Sequence, residues 1–226
     1  VIPYAAGRGI GKGPYGLAVD AAHNKLFVAN SVDNSVSVVD TVSNTVIKVI
    51  PHAAGIGIGK GPYGVAVDPA RNKAFVTNET DNTVSVINTV TNTVSATIPH
   101  DVVTGIGRGP FAVAVDPARN EAFVTNVIDG TVSVIDTVTN AVITVIPYAA
   151  GIGIGNTPRG VAVDSARSKA YVTNAGDGTV SVVDTLRNTV TTMIAGKGIG
   201  NRPIGVAVDP DHDQVYVTNA DDDTVS

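Results

Sequence analysis

The chain has 226 residues, 43% of them hydrophobic and 15% charged, with a formal charge of −5 and no cysteine or tryptophan. That balance excludes a general electrostatic attraction to nucleic-acid phosphates or anionic lipid. It also excludes disulfides and thiolate metal sites, and no apolar run approaches the roughly 18 residues that a membrane span needs.

In chain order, Val1-Ile2-Pro3 reads as the end of a strand with no initiator Met or signal peptide ahead of it, as in a processed or excised chain. A glycine-rich stretch leads to Pro14, which opens a G-V-A-V-D-like run. This anchor recurs at Pro62, Pro110, Pro158 and Pro203, in steps of 48, 48, 48 and 45 residues, so residues 1–226 read as one domain of five repeats.

The second copy shows the plan of all five. Residues 63–67 (YGVAV) form strand A, with Val65 and Val67 on one face and the small Gly64 and Ala66 on the other. Small residues permit close backbone approach, which suits an innermost strand. Asp68 to Asn72 is a turn in which Pro presets φ and Asp and Asn bond their own backbone. Strand B (73–77), a turn (78–82), strand C (83–87), a turn (88–92) and strand D (93–98) follow, and Pro99 closes the unit because proline cannot donate to a ladder.

Four short antiparallel strands repeating every roughly 40 to 48 residues predict an all-β β-propeller of four-stranded blades, five in number. Ser226 aligns with Ser37 and Ser133 within strand C, and Val1-Ile2-Pro3 aligns with 49–51 and 145–147 at the end of strand D. N-terminal residues are therefore expected to complete the fifth blade and close the ring; a piece of a six- or seven-bladed ring is the alternative.

The segments FVTN (75–78, 123–126), YVTN (171–174, 216–219), NTVSVI (82–87) and VAVDP (65–69) resemble the YVTN family of β-propeller repeats, over all five copies. The resemblance implies a surface, secreted or lactonase-like propeller and leaves the activity open. The repeats here are longer than is usual for that family, the extra length lying in a glycine-rich D-to-A connection.

In an up-and-down blade the D-to-A and B-to-C connections share one rim. All five D-to-A loops contain Gly-Ile-Gly (9–11, 57–59, 105–107, 153–155, 198–200), each followed by a polar residue: Lys12, Lys60, Arg108, Asn156 and Asn201. Such loops can cradle anions through backbone N–H groups. They lack the G-x-x-x-x-G-K-[ST] pattern and lead into strands, which excludes a nucleotide loop. Tight turns with Ile tucked against the blade are the structural reading. Tyr15, Tyr63 and Phe111 follow the anchor prolines, with Arg159 and Ile204 in the last two copies, and His52 and His100 (Tyr4 and Tyr148 elsewhere) follow strand D. These residues either line a rim for a sugar or polar ligand or pack between blades.

Other constellations read as structural. His23 and His212 replace Arg71, Arg119 and Arg167 in turns on the opposite face, as solvated turn residues, and no metal-ligand spacing joins the four histidines. Asp209, Asp211 and Asp213 imitate the start of a calcium loop, but Ala220 stands where its bidentate Glu belongs. Asp20, Asp68, Asp116, Asp164 and Asp209 recur in every A-to-B turn as caps. The departures from the repeat (Ala112, Arg159, Glu121, Asn88) assemble no nucleophile with a base.

The expectation is a non-catalytic binding scaffold outside the cytoplasm or at the cell surface, without cofactor or metal. Its partner is a protein, glycan or polar small molecule, not nucleic acid or a membrane interior. A lactonase-like or lyase-like enzyme and a lectin-like propeller are the alternatives.

Overall fold

The computed structural model describes residues 1–4, 9–101, 104–149 and 151–226. The strands fall into five antiparallel sheets in chain order. Sheet 1 holds β1 (Pro14–Asp20), β2 (Lys25–Asn30), β3 (Ser35–Asp40) and β4 (Thr45–Pro51); sheet 2 holds β5 (Pro62–Asp68), β6 (Lys73–Asn78), β7 (Thr83–Asn88) and β8 (Thr93–Ile98). Sheet 3 holds β9 (Pro110–Asp116), β10 (Glu121–Asn126), β11 (Thr131–Asp136) and β12 (Val142–Ile146). Sheet 4 holds β13 (Pro158–Asp164), β14 (Lys169–Asn174), β15 (Thr179–Asp184) and β16 (Thr189–Ile194), and sheet 5 holds β17 (Pro203–Asp209), β18 (Gln214–Asn219) and β19 (Thr224–Val225). Each strand pairs with the next in sequence, as the repeat predicts. Among the described residues no helix is long and apolar enough to cross a membrane.

The turns are set by asparagine. Asn24, Asn72 and Asn120 in the first turn of their sheets, Asn34 and Asn82 in the second, and Asn44, Asn92, Asn140 and Asn188 in the third all adopt left-handed φ between 52° and 63°. Asparagine tolerates that region better than other residues with a Cβ, and Gly130 and Gly178 take it where the second turn lacks Asn.

Successive sheets pack face to face. Phe75, Val84, Val86 and Ile98 of sheet 2 meet Val113, Ala122, Val124 and Ile135 of sheet 3, and the corresponding residues form the joints on either side. Sandwiching explains why β6 and β7 are buried along most of their length rather than on alternate residues. Each such side chain contributes about 1.5–3 kcal/mol by leaving water.

At the inner strands the joint becomes polar. The Thr77 hydroxyl accepts from the Gly64 amide at 2.8 Å and donates to the Phe111 carbonyl of the next sheet at 2.7 Å. Thr125 does the same between Ala112 N and Arg159 O, and Thr173 between Gly160 N and Ile204 O. The β5–β6 ladder slips at this point, from Pro62–Asn78 to Val65–Val76. A Cβ on Gly64 would lie 2.6 Å from the Phe111 carbonyl oxygen, so the small-residue face of strand A does serve close approach. Sheet 1 has Ala29 in the threonine's place.

Lysines span the outer part of the same joints. Lys25 Nζ reaches the carbonyls of Thr89 (2.5 Å) and Val90 (3.1 Å) and Asn92 Oδ1 (3.0 Å) in sheet 2, and Lys73 repeats this with Thr137, Val138 and Asn140 in sheet 3. In sheet 3 the position is Glu121, whose carboxylate accepts from Asn188 Nδ2 at 3.1 Å. Burial pushes the Glu121 carboxyl above its ordinary range; Asp116 and Asp136 add to this, and Asn188 and Arg119 offset only part.

The expected return of the N-terminus to the fifth sheet is not made. Val1–Pro3 forms no strand, although Pro3 O accepts from Ile10 N at 3.2 Å as Pro51 O, Pro99 O and Pro147 O do from Ile58, Ile106 and Ile154 N. β1 packs on β5, β5 on β9, β9 on β13 and β13 on β17, and no comparable packing joins β17 to β1 among the described residues. Leu17 and Val19 are consequently 63% and 57% exposed, whereas Val65 and Val113, equivalent to Leu17, are each 8% exposed.

Phe75→Ala is expected to cost about 3–5 kcal/mol in chemical denaturation, while Val90→Ala, on an exposed turn, stays within about 0.5 kcal/mol. Glu121 has its pKa raised on folding, so its favourable contribution is complete below the unfolded Glu pKa, about 4.3, and is lost as pH rises through the folded value. Glu121→Gln should therefore raise Tm at pH 7 and leave it unchanged near pH 3; an equal shift at both pH values would refute this origin.

Candidate binding rim

The D-to-A loops and B-to-C turns do share one rim, and what joins them is an aspartate. Lys12 N donates to Asp33 Oδ2 at 2.8 Å, Lys60 N to Asp81 at 2.8 Å, Arg108 N to Asp129 at 2.7 Å, Asn156 N to Asp177 at 2.7 Å and Asn201 N to Asp222 at 2.6 Å. Hydrogen bonds from the Asn201 main-chain amide and then from its side chain hold the Asp222 carboxyl below its ordinary value, against a smaller effect of burial. The aspartate clasps the main chain, and the side chains of Lys12, Lys60, Arg108, Asn156 and Asn201 stay exposed.

Below the clasp lies a buried relay. Asn78 Nδ2 donates to Thr83 Oγ1 (3.0 Å) and Ser85 Oγ (2.9 Å), and Ser85 in turn donates to the Gly57 carbonyl of the loop at 3.0 Å. Asn30, Asn126 and Asn174 build the same relay through Ser37, Ser133 and Ser181. A Cβ on Gly59 would lie 2.7 Å from the Asn78 side chain, so the second loop glycine is required for the loop to rest on the amide. The intervening Ile58, Ile106 and Ile154 are fully buried, tucked against the sheets.

The histidines brace these loops. His52 Nδ1 lies 2.7 Å from the Ile58 carbonyl and His100 Nδ1 2.5 Å from that of Ile106. A carbonyl only accepts, which puts a proton on Nδ1 and leaves Nε2 as the acceptor of the neutral ring. His100 lines a cavity of about 540 Å³ with Asp101, Arg108, Asp129 and Thr131. His52 lines a smaller one, about 270 Å³, with Gly59, Asp81 and Thr83. The two histidines thus serve separate, equivalent cavities. Among the described residues no three metal-ligating side chains come together.

The residues after the anchor prolines do converge. Tyr15, Tyr63 and Phe111 form a cluster with ring centroids 4.9, 5.0 and 5.6 Å apart, and the Arg159 guanidinium sits 5.1 Å from the Phe111 ring. Among the loop residues, Lys12 lies 5.5 Å from the Tyr4 ring, Arg108 Nε pairs with Asp129 at 2.7 Å, and Asn201 Nδ2 donates to Asp222 at 2.9 Å. The rim therefore has an aromatic cluster and a row of tips that is basic in the first three repeats and neutral in the last two.

On the opposite face the turn aspartates are caps. Asp68 pairs with Arg71 at 3.1 Å, Asp116 with Arg119 at 2.9 Å and Asp164 with Arg167 at 3.0 Å. His23 and His212, expected as solvated turn residues, lie 2.8 Å from Asp20 and Asp209; His212 is 74% exposed, as expected, and His23 is partly covered. Burial alone would raise the Asp20 carboxyl, but the nearby Thr89 hydroxyl and the hydrogen bonds and charge of His23 together hold it below its ordinary value. Asp213 is committed to Arg167 at 2.8 Å, which removes it from any calcium-like array.

Sequence reasoning missed Asp33, Asp81, Asp129, Asp177 and Asp222. The available signal was their constant separation of 21 residues from the polar residue after Gly-Ile-Gly. No known protein-family profile matches the chain, and no characterised protein matches it in sequence.

Asp129→Ala removes both the main-chain clasp and the Arg108 pair. It is expected to cost about 1–2 kcal/mol and to make the 104–109 loop cleavable by protease while the 57–61 loop stays resistant; equal susceptibility of the two loops would contradict the local clasp.

Proposed function

We propose that the chain is a non-catalytic scaffold of propeller type, its five sheets acting as blades, that binds a polar partner through the rim of D-to-A loops. One observation carries this reading: in every repeat the loop main chain is held by an aspartate while the residue at its tip is exposed and varies from Lys to Arg to Asn. A fold that fixes five loop backbones and diversifies their tips presents a preorganised, multivalent surface, and preorganisation lowers the ordering cost of binding. Three of the tips, Lys12, Lys60 and Arg108, are basic, with Arg159 beside the aromatic cluster, so the first three repeats favour an anionic group on a glycan, protein or small molecule.

The resemblance to YVTN repeats supports placing this scaffold at the cell surface or outside the cell. A lectin-like variant of the reading uses the Tyr15–Tyr63–Phe111 cluster as the apolar floor against which a sugar ring rests. The recurring carboxylates support a structural role: those of the A-to-B turns are held by Arg or His, and those of the B-to-C turns by loop amides.

The test is a thermal-shift series with sulfated and neutral oligosaccharides, citrate and inorganic phosphate. A ligand at 100 times its Kd stabilises the fold by about 2.7 kcal/mol, so a raised Tm with the anionic compounds alone is expected. The Lys12→Ala/Lys60→Ala/Arg108→Ala variant should keep its own Tm and lose that rise. A rise of the same size in this variant would remove the three cations from the site.

A further inference from the structure

The joint between sheets 3 and 4 places a carboxylate where two other joints place an ammonium. Lys25 Nζ is held by the carbonyls of Thr89 and Val90 and by Asn92 Oδ1, and Lys73 Nζ by the carbonyls of Thr137 and Val138 and by Asn140 Oδ1. Each is a cage of neutral oxygens closed on one positive charge. In the third joint Thr185, Leu186 and Asn188 stand at the cage positions and Glu121 at the lysine position, Glu121 and Asn188 being 67 residues apart as Lys25 and Asn92 are, and Lys73 and Asn140.

The turn that carries the cage oxygens keeps its shape. Asn92, Asn140 and Asn188 all take left-handed φ, at 55°, 63° and 53°. The residue opening each turn caps it alike: Asn88 Oδ1 accepts from Val90 N at 2.9 Å, Asp136 Oδ1 from Val138 N at 2.7 Å and Asp184 Oδ1 from Leu186 N at 2.7 Å. The Thr185 and Leu186 carbonyls are therefore directed as those of the two lysine cages are. An ionised carboxylate donates nothing to them. Asn188 gives partial relief by turning its Nδ2 inward to donate to Glu121 Oε1 at 3.1 Å. Among the described residues, Glu121 Oε2 and Asn188 Oδ1 are left buried without a hydrogen-bond partner, a costly state for two acceptors on adjoining side chains.

We propose that this joint is a calcium site, with Glu121 Oε2, Asn188 Oδ1, Thr185 O and Leu186 O as its protein ligands and water completing the shell. A glutamate oxygen stands one bond nearer its backbone than a lysine nitrogen does, which leaves room for an ion where Lys25 and Lys73 place their ammonium. Charge selects a divalent ion. A carboxylate with Ca2+ carries the same single positive charge that the equivalent oxygens hold in the other two joints, whereas with Na+ or K+ the pair is neutral. Ca2+ accepts carboxylate, amide and main-chain oxygens in flexible geometry, while Mg2+ demands a near-ideal octahedron and gives up water reluctantly. Neighbouring Asp116 and Asp136 add negative potential and Arg119 opposes it. Arg119 is itself engaged by Asp116 at 2.9 Å and by Ser165 O at 3.2 Å. Lys73 fills its cage with the Arg71 charge close by, so a cation beside that arginine position has a precedent in the same molecule. One carboxylate among neutral oxygens belongs with weak calcium sites, of dissociation constant about 0.1–1 mM.

Thermal melts of the whole chain at pH 7 test the assignment, first in chelator and then with CaCl2, MgCl2 or NaCl added and ionic strength held constant with choline chloride. The wild type is expected to gain Tm with calcium over that concentration range, less with magnesium and not with sodium. Equilibrium dialysis should show it binding one equivalent of calcium more than Glu121→Gln does. In chelator Glu121→Gln and Glu121→Lys should both melt above the wild type, the first by losing a buried charge and the second by returning an ammonium to the cage. Neither variant should gain from calcium. A wild type indifferent to calcium, or one that gains as much from sodium, would overturn the proposal. So would a calcium gain of equal size in both variants, which would put the ion on other carboxylates such as Asp221 and Asp222.

Discussion

The structure depends on the close approach of neighbouring inner strands, bridged by a hydroxyl in three of the four joints. Thr77, Thr125 and Thr173 each tie the bulged start of their own strand A to a carbonyl of the next, at 2.7–2.9 Å. Such an approach is possible only where strand A carries almost no side chain. Gly64 and Gly160 meet that demand, and Ala112 marks the largest residue found at this position. The threonine is buried, so its hydroxyl must be satisfied at both donor and acceptor; the first joint, with Ala29 in its place, is as close, a Cβ on Gly16 lying 2.1 Å from the Tyr63 carbonyl oxygen. The apolar side chains of each joint pack around this close approach of the inner strands, with the hydroxyl bridge added in three of the four joints.

The rim inherits its rigidity from those joints. Each D-to-A loop rests through its second glycine on a buried asparagine amide and is clasped by an aspartate of the B-to-C turn, and the first four are also tied by a serine to strand C. Three side chains from strands B and C and their turn thus determine the path of a loop that has little regular structure. The loop's own side chains do other work: Ile58, Ile106 and Ile154 anchor it in the core, and the residue after the second glycine faces solvent. A surface built this way can change its chemistry at the tips without disturbing its backbone, which is the physical basis for reading it as a binding face.

Much of this was legible in the residues alone. The five repeats, the four strands of each, the shared rim and the buried isoleucines follow from proline anchors, period-2 patterns and turn residues. The aspartate clasp was overlooked because Asp81 sits in a turn where Asp is already expected for local bonding, and its partner lies 21 residues away. Thr77 was read as a strand residue, since nothing local distinguishes a hydroxyl that bridges two sheets from one that meets water. The pairing of Val1–Pro3 with the fifth sheet, expected from the alignment, is absent for a different reason. The alignment of Val1–Pro3 with 49–51 shows which residues can pair, but whether the ends meet depends on the rotation accumulated over four joints, and no short sequence pattern encodes that sum.

Amide hydrogen exchange at Lys12, Lys60, Arg108, Asn156 and Asn201 tests most directly whether the rim is a fixed backbone with variable tips. Each of these amides sits on an exposed loop yet donates to an aspartate at 2.6–2.8 Å. The account predicts that all five are protected to a degree comparable with one another and with the strand amides beneath them. Exchange at the rate of an open loop would contradict it, because the loops would then be held by their ends alone.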